Sequence, residues 1–595
     1  MARTTQFANS ALGAGKPSNA LYGSDLMVEM LRELGIRYIA LNPGASFRGL
    51  HDSLVNFGEG GPEILMCAHE EFAVAMANGY ARVTGKPMAT GLHNVVGLQH
   101  ASMAIFNAWC DRTPMLNLGG GGPQDATHRR STDWVHTALV QGNLVRDFVK
   151  FDDQPYSIEA VPESFLRAYR IAMTEPRGPV YLCLDSDVQE QRIESPMMVP
   201  NAALFAPPAL PAANSEALQR AADLLLGAQW PVIVAGEVGR NPTALPSLVE
   251  LAETLAAPVI EAGRFAISNT HPLDLTPRRE SVLNQADVVL ALDVPSLGVP
   301  LGPSVRERGA LQPAIGPDTV VIHITLYDLE KQSWVTDNMW MMPVSVPIAA
   351  DTAQAIPELV RLCRERLKSS TGSADRVEQR RVRVHAIHRQ AREEADAWIQ
   401  QVWDQEPISS ARLYGELNQR LKGQPWALAH SHGARWRDVL ETTDEGHGLG
   451  GGRGAGVGYG LPSSIGAALG WKGSGRLVVS VLGDGDFFMT SNALWTAAKY
   501  DIPLLVIIYN NLSYYNDEDH QERIAAWRDR PVANKGVGVR IEDPTPDFAS
   551  LARSLGVAGF GPVTDPNKVG GVLDEAITIV QNGQPAVIDV HTQAR

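Results

Sequence analysis

The stretch from Gly483 to Asn511 constrains the fold of this chain more than any other. It opens after one apolar run and ends just after a second, Leu504 to Tyr509, and each run is typical of a buried β-strand. Between the runs we predict a tight Gly-Asp-Gly turn and then a helix over about 491 to 500. A strand, a helix and a parallel strand place both strand ends at the carboxyl edge of an α/β sheet, where ligands bind. The carboxylate of Asp484 and the amide of Asn511 are oxygen ligands that suit a hard divalent cation, which can also hold phosphates.

Gly-Asp-Gly, followed after 24 residues (486 to 509) by Asn510-Asn511, resembles the diphosphate motif of thiamine-diphosphate-dependent enzymes. The alternative is an ordinary strand–helix–strand unit with an asparagine-rich turn. The resemblance implies that Asp484, Asn511 and the backbone carbonyl of Ser513 bind Mg2+. It also implies that the diphosphate lies against this motif, whose residues are Gly483, Asp484, Gly485, Asp486, Phe487 and Asn511.

Glu70 is the expected catalytic acid. A carboxylate at the end of a strand and the start of a helix is often only a partner for the helix dipole. However, Gly-Tyr-Ala-Arg begins nine residues after Glu70, and this resembles the pattern around the catalytic glutamate of the same family. Such a glutamate binds the aminopyrimidine ring of the cofactor and takes part in the removal of the thiazolium proton. Glu71 is the less favoured alternative.

Further residues are candidates for the neighbourhood of the reacting carbon. His93 follows a predicted strand in Gly-Leu-His-Asn, which resembles benzoylformate decarboxylases and implies a proton relay. Gln141 lies where carboligases of this type carry a substrate-binding glutamine, and Ser46 is one position from a serine of the decarboxylases. For each of these three the alternative is a structural side chain.

Two segments of the C-terminal part complete the expected cofactor site. Gly-Val-Gly-Tyr-Gly-Leu-Pro, ending at Pro462, resembles the acetolactate-synthase segment that supports the bent cofactor, and Val457 occupies the position of its bulky apolar residue. Ser431 and His432 end a predicted strand and are expected to touch the diphosphate. A glycine-rich loop that serves only close packing is the alternative for the first segment.

Strands alternate with helices along the chain, which indicates α/β domains with parallel sheets covered on both faces. A proline- and alanine-rich stretch and a strongly charged helical stretch separate three such units. The resemblance implies the layout of the family, in which a pyrimidine-binding, a central and a diphosphate-binding domain follow one another. The expected boundaries are a flexible start at 1–23, a pyrimidine-binding domain at 24–187, a linker at 188–214, a central domain at 215–365, a helical connector at 366–407 and a diphosphate-binding domain at 408–595.

Composition excludes several classes of protein. The net charge of −15, without a long basic run, argues against a nucleic-acid partner. Neither a signal peptide nor an apolar run of membrane-spanning length is present in the sequence. The four cysteines are scattered without Cys-x-x-Cys spacing, which is typical of reduced thiols, so we expect a cytoplasmic location.

The motifs together are similar to the group of acetolactate synthase, benzoylformate decarboxylase and 2-hydroxyacyl-CoA lyase. The expected function is a thiamine-diphosphate- and Mg2+-dependent decarboxylase or carboligase that acts on a 2-keto acid or related carbonyl compound through a carbanion/enamine. The resemblance implies a homodimer or homotetramer with each site shared between two subunits. The alternatives are a 2-hydroxyacyl-CoA lyase and a non-catalytic subunit of the same fold. FAD is not expected, because no RFDDR-like segment follows Val294, and an NAD oxidoreductase is disfavoured because the middle unit lacks Gly-x-Gly-x-x-Gly.

Overall fold

Three parallel β-sheets flanked by helices form the protein, as the sequence predicts. The computed structural model describes residues 15–58, 60–302, 313–327, 341–369 and 371–594. The expected flexible start therefore lies outside the described residues as far as residue 14. No helix of the described segments is both long enough and apolar enough to cross a lipid bilayer.

The first domain contains a six-stranded parallel sheet with the strand order β3-β2-β4-β5-β7-β6. Its central strands are buried on both faces, as expected for a sheet between two helical layers. A short antiparallel pair, β1 with β8, joins the start of the described chain to the region after the sheet. The elements are β1 (Lys16–Pro17), α1 (Gly23–Glu33), β2 (Tyr38–Leu41), α2 (Arg48–Asn56), β3 (Glu63–Met66), α3 (Glu70–Thr84), β4 (Ala89–Leu92), α4 (Asn94–Cys110), β5 (Met115–Gly121), α5 (Ser131–Trp134), β6 (Asp152–Asp153), α6 (Val161–Met173), β7 (Pro179–Asp185), α7 (Ser186–Glu190) and β8 (Met198–Val199).

The second domain has a five-stranded parallel sheet with the order β10-β9-β11-β12-β13 and its own apolar core. Two long helices lead from it to the third domain. The elements are α8 (Ser215–Gly227), β9 (Pro231–Ala235), α9 (Leu245–Leu255), β10 (Val259–Glu261), α10 (Arg279–Leu283), β11 (Val288–Leu292), β12 (Val320–Thr325), β13 (Val346–Ala349), α11 (Thr352–Lys368) and α12 (Thr371–Val402).

The third domain repeats the arrangement with a five-stranded parallel sheet in the order β14-β15-β16-β18-β17. The adjacent strands β15 and β16 are fully buried and rich in Val, Ile and Leu. The elements are α13 (Ser410–Leu421), β14 (Trp426–His430), α14 (Trp436–Val439), α15 (Gly460–Trp471), β15 (Leu477–Gly483), α16 (Asp484–Thr490), α17 (Leu494–Lys499), β16 (Leu505–Asn510), α18 (Tyr515–Trp527), α19 (Phe548–Ser554), β17 (Ala558–Val563), α20 (Val569–Gln581) and β18 (Ala586–His591).

Helices α3 and α15 join the first and third domains by direct contact of their backbones. A Cβ atom added to Gly79 would lie 1.9 Å from the carbonyl oxygen of Ser463, and one added to Gly466 would lie 2.0 Å from that of Met76. No side chain fits at either position. The buried apolar residues on both sides of this contact belong to one continuous core, so the two domains pack as a unit.

Two expectations differ from the structure. The Gly-Asp-Gly segment is not a turn, because α16 begins at Asp484 directly after β15, and a short 3-10 segment separates it from α17. The predicted flexible start and linker also contain regular structure, since Lys16–Pro17 pairs with Met198–Val199. Main-chain hydrogen bonds between distant segments stabilise these residues, and a local sequence pattern does not reveal such bonds.

We predict that Gly79→Ala destabilises the protein by about 1–3 kcal/mol, because the added methyl group overlaps a backbone oxygen of the facing helix. Gly571→Ala is the matched control, since this helical glycine has no atom within 4 Å of the added Cβ and alanine favours the helix. Thermal unfolding measures both variants. Equal stability of the two would contradict the close packing of α3 on α15.

Candidate functional site

Two oxygen atoms converge at the carboxyl edge of the third sheet. Asp484 begins α16 after β15, and Asn511 follows β16, the strand that pairs with β15. The backbone N–H of Ser513 donates to Asp484 Oδ2 at 3.1 Å and to Asn511 Oδ1 at 3.0 Å. A single N–H therefore holds the carboxylate and the amide side by side. The structure thus brings the three residues of the predicted metal site together.

Asp484 carries a buried carboxyl that backbone N–H groups contact. Only 2% of the residue is exposed, and burial raises the pKa of its carboxyl to about 6 although backbone N–H groups of Gly485 and Ser513 oppose the shift. A buried carboxylate is stable in the charged form when a cation or several donors contact it. Asp484 begins α16, and the backbone N–H of Gly485 in the first turn donates to Asp484 Oδ1 at 2.9 Å.

Two hydrogen bonds connect the glycine-rich loop before α15 to α16, and both involve the backbone of Gly458. Asp486 Oδ1 accepts a hydrogen bond from Gly458 N at 2.6 Å, and Thr490 Oγ1 donates to Gly458 O at 2.9 Å. Gly458 has a φ of +93°, which suits glycine. The adjacent Val457 is half exposed and lines the cavity described next. The loop is thus held over the start of α16 with Val457 facing open space.

A cavity of about 380 Å3 lies between this loop, the start of α16 and the segment after β16. Its size is within the range of small-molecule sites, roughly 300–1,000 Å3. A Cβ added to Gly483 would approach the His432 ring to 3.1 Å, and one added to Gly485 would lie 2.5 Å from Tyr514. Of the predicted cofactor-binding residues, those that line the cavity are His432, Val457, Gly483, Asp484, Gly485, Asp486, Asn511 and Ser513.

Two predicted cofactor-binding residues lie elsewhere. Phe487 is fully buried and packs edge-to-face against Phe548 in the core, with ring centroids 5.4 Å apart. Ser431 is half-buried and is not among the described residues that line the cavity. Phe487 lies in the core because a helix begins at Asp484 and turns its fourth residue inward.

Glu70 lies at the first position of α3 in the first domain and is 4% exposed. His69 precedes the helix as its N-cap, with Nδ1 accepting from Glu71 N at 3.2 Å. Glu70 Oε2 lies 3.2 Å from His100 Nδ1, and α4 passes so close that a Cβ on Gly97 would be 2.9 Å from Oε1. Glu71, by contrast, is only half-buried, and burial raises the pKa of its carboxyl.

His93 follows β4 directly, as predicted, and belongs to a cluster of polar side chains. Its Nδ1 atom lies 3.0 Å from Ser46 Oγ, and its ring meets His136 edge-on at 5.3 Å. Burial, followed by a positive charge on His136, lowers the pKa of His93, while Glu70 and Asp133 oppose this shift. His93 and Glu70 therefore lie within electrostatic reach of each other.

Gln141 has a different place from the one expected of a substrate-binding residue. It is fully buried, and its Nε2 atom donates to Gly120 O at 2.8 Å and approaches Cys183 Sγ at 3.0 Å. Gly120 in turn lies against Ser46, since a Cβ on it would come within 2.0 Å of Ser46 Oγ. The side chain thus fixes the main chain behind the Ser46–His93 pair.

The sequence-based interpretation missed two histidines beside the predicted catalytic residues. His100 contacts Glu70, and His136 contacts His93. The position of His100 is partly visible in the sequence, because His100 follows Gly97 by three residues on α4 and residues three apart share a helix face. His136 lies in irregular chain, where no periodicity connects it to His93.

Three domains of this kind, with polar sites at the carboxyl edges of two parallel sheets, define a class of α/β cofactor-dependent enzymes. Three family models match the chain in the same order: the N-terminal TPP binding domain of thiamine pyrophosphate enzymes at residues 21–143, their central domain at 218–359 and their C-terminal TPP binding domain at 415–590. Thiamine pyrophosphate is another name for thiamine diphosphate. The chain belongs to the family of thiamine-diphosphate-dependent enzymes, and the predicted family and fold are confirmed.

Known relatives are distant but match nearly the whole chain. A probable 2-ketoarginine decarboxylase of Pseudomonas aeruginosa is 26% identical over 91% of this chain and 90% of its own. The acetolactate synthase large subunit of Haemophilus influenzae is 24% identical over 94% and 92%. The solved structure of a thiamine diphosphate-dependent 4-hydroxybenzoylformate decarboxylase from Rhodococcus jostii RHA1 has a TM-score of 0.71 at 20% identity, with 96% of this chain and 99% of that chain covered. This last likeness concerns the fold.

The residues around the third-domain cavity fit thiamine diphosphate. Glycines without side chains leave space beside His432 and Tyr514, and two side-chain oxygens converge at the start of a helix. Asp486 Oδ2 is buried without a hydrogen-bond partner in the described part of the chain. A phosphate-bearing ligand with a divalent cation has the chemistry that this set of donors and acceptors requires.

We predict that Asp484→Asn weakens the Mg2+-dependent binding of thiamine diphosphate at least tenfold, because the amide keeps the shape but loses the charge that a cation requires. Asp501→Asn is the control, since Asp501 is exposed and has a φ of +47°, which asparagine adopts readily. Calorimetry with and without Mg2+ measures the affinity. Equal affinity of the Asp484 variant and the wild type would exclude Asp484 as a metal ligand.

Proposed function

We propose that the protein is a Mg2+- and thiamine-diphosphate-dependent decarboxylase or carboligase that acts on a 2-keto acid or a related carbonyl compound. The observation that carries this proposal is the group of Glu70, His93 and Ser46 in the first domain, next to a domain with a cofactor cavity. The names of two relatives, a 2-ketoarginine decarboxylase and an acetolactate synthase, support the substrate class.

Each of the proposed residues has a separate task. Bound thiamine diphosphate supplies a nucleophilic carbon and a sink for the electrons of the bond that breaks. Asp484, Asn511 and the carbonyl of Ser513 would hold Mg2+ beside the diphosphate. Glu70 would bind and release a proton at one carboxylate oxygen, which would make it the catalytic acid and base.

His93 is proposed to move a proton to or from the substrate at Nε2. Ser46 contacts the other ring nitrogen and so fixes the orientation of the ring. The lowered pKa of His93 favours a neutral imidazole, which can accept a proton near neutral pH. Gln141 takes part indirectly, because it holds the backbone at Gly120 behind Ser46.

The proposal also places each active site between two subunits. Within one chain, Glu70 contacts α4 at His100. The glycine-rich loop contacts α4 at Asn107 instead, because a Cβ on Gly454 would be 2.3 Å from Asn107 Oδ1. Seven helical residues separate these contacts by about 10 Å. Glu70 does not line the cavity of its own chain in the described segments. We infer that the chain self-associates as a homodimer or homotetramer, so that Glu70 of one subunit serves the cavity of another.

An assay of purified protein with thiamine diphosphate and Mg2+ tests the proposed reaction. The protein is offered a panel of carbonyl compounds. The panel contains pyruvate, benzoylformate, 2-ketoarginine, oxalyl-CoA, and formyl-CoA with aldehydes, and the assay follows CO2 and coupled products. We expect release of CO2 from at least one 2-keto acid. Cleavage or formation of acyl-CoA compounds alone would favour the lyase alternative over this proposal.

We predict that Glu70→Gln lowers turnover of the identified substrate by at least 100-fold, because the amide cannot exchange a proton, while the affinity for thiamine diphosphate changes little. Glu71→Gln is the matched control and retains most activity. Steady-state kinetics and calorimetry give the two quantities. Near-normal turnover of the Glu70 variant would refute the assignment of the catalytic acid.

Hybrid oligomers test the shared site. We predict that co-expression of Glu70→Gln and Asp484→Asn chains, each of which has little activity alone at limiting thiamine diphosphate, recovers roughly a quarter of wild-type activity, because half of the dimers are hybrids with one intact site of two. Two affinity tags isolate the hybrids. If both residues of a site came from the same chain, every site of a hybrid would carry a defect and no activity would return.

A further inference from the structure

His100 connects the buried Glu70 with the outside of the first domain. The two residues meet at 3.2 Å between His100 Nδ1 and Glu70 Oε2, and 6% of the Glu70 side chain but 48% of the His100 side chain is exposed. Among the described residues, His100 provides the side-chain hydrogen bond to this carboxylate. An imidazole has two nitrogens, so one can face the acid while the other faces water.

The orientation of the His100 ring is fixed from a second side. The ring stacks on His69 at a centroid distance of 4.7 Å and an angle of 21°. His69 Nδ1 accepts a hydrogen bond from Glu71 N, so the proton of neutral His69 lies on Nε2. Burial, and then a positive charge on His100, lowers the pKa of His69, against a smaller opposing effect of Glu70. A neutral ring therefore lies against His100.

The second carboxylate oxygen of Glu70, Oε1, is packed against α4. Gly97, one turn before His100 on α4, has no side chain, and a Cβ there would press on Oε1 at 2.9 Å. The titratable groups that face this pair are His69 and Glu71 from the start of α3 and His93 from the end of β4. Oε1 thus lies against the backbone of α4 at Gly97, while Oε2 is engaged by His100.

We propose that His100 is a positioning residue that holds Glu70 and passes its proton to and from the solvent side of α4. The inference rests on the proposed function, in which Glu70 alternately binds and releases a proton in a site closed by the cofactor. Neutral His100 with its proton on Nε2 accepts the Glu70 carboxyl proton at Nδ1 and releases the Nε2 proton to water. One proton leaves, Glu70 becomes a carboxylate, and the reverse transfer restores both groups.

A residue that only holds Glu70 is distinguishable from one that passes a proton. Glutamine at position 100 keeps a hydrogen-bond donor of similar reach but has no second nitrogen in a conjugated ring, so it cannot relay. Alanine removes the ring and leaves a gap at the half-exposed surface that free imidazole can enter. The proposed relay therefore predicts loss of proton exchange in both variants and chemical rescue only in the alanine variant.

The test uses the holoenzyme and two readouts other than turnover: the affinity for thiamine diphosphate by calorimetry, and the rate at which the acidic carbon-bound proton of the cofactor exchanges with deuterium, by quenched NMR. We expect His100→Ala and His100→Gln to bind the cofactor within about threefold of wild type but to exchange at least tenfold more slowly. Added imidazole restores exchange in His100→Ala in proportion to its concentration. His128→Ala, which removes an exposed histidine of the same domain, leaves exchange unchanged.

Unchanged deuterium exchange in either His100 variant would overturn the relay. A loss of exchange in His100→Ala that imidazole does not restore would also overturn it, and so would a loss that is explained by weaker cofactor binding. If His100→Ala does not fold, the exchange rate and the affinity of His100→Gln decide alone. The Glu70→Gln variant distinguishes a failure of the proposed function from a failure of the relay. Wild-type exchange in Glu70→Gln overturns the proposed function, whereas its loss together with normal exchange in both His100 variants overturns the relay only.

Discussion

The contact between helices α3 and α15 determines how the two ligand-binding parts of the chain lie relative to each other. Gly79 and Gly466 let the two backbones meet without side chains between them. Gly470 lies further along α15 and meets Val83, further along α3, so the helices run in the same direction. Glu70 begins one helix and Gly460, at the end of the glycine-rich loop, begins the other. The packing thus fixes the helix that begins with the acid relative to the helix that follows the glycine-rich loop.

Both sites keep carboxylates in positions that are costly in the absence of a ligand. Asp484 is nearly inaccessible, and its pKa is raised because burial disfavours its charge. Glu70 is also buried, and His100 contacts one of its oxygens. Such groups are stabilised when a cation or a hydrogen-bond donor completes their contacts. The proposed division between a domain that holds the cofactor and a domain that exchanges protons with it follows from these two environments.

Much of the fold was predictable from the sequence because apolar runs and their spacing are local. His93 directly follows β4, as expected, and the helix predicted over about 491 to 500 corresponds to α17 (Leu494–Lys499), which follows a short 3-10 segment. The Gly-Asp-Gly segment was predicted wrongly as a turn, since glycine suggests a break whereas the helix begins within the motif. Gln141 was selected by its position in the sequence, but its amide contacts Gly120, Tyr181 and Cys183, which are close only in the folded sheet.

The sequence by itself determined the class of fold, the family and the residues of the diphosphate motif, because each depends on residues at short, fixed spacing. Only the tertiary structure decided which distant side chains meet: Ser46 with His93, His136 with His93, and His100 with Glu70. These pairs form where separate strands and helices end at the same edge of a sheet. The physical reason is that contacts across a parallel sheet depend on strand order and helix packing, which no local pattern specifies.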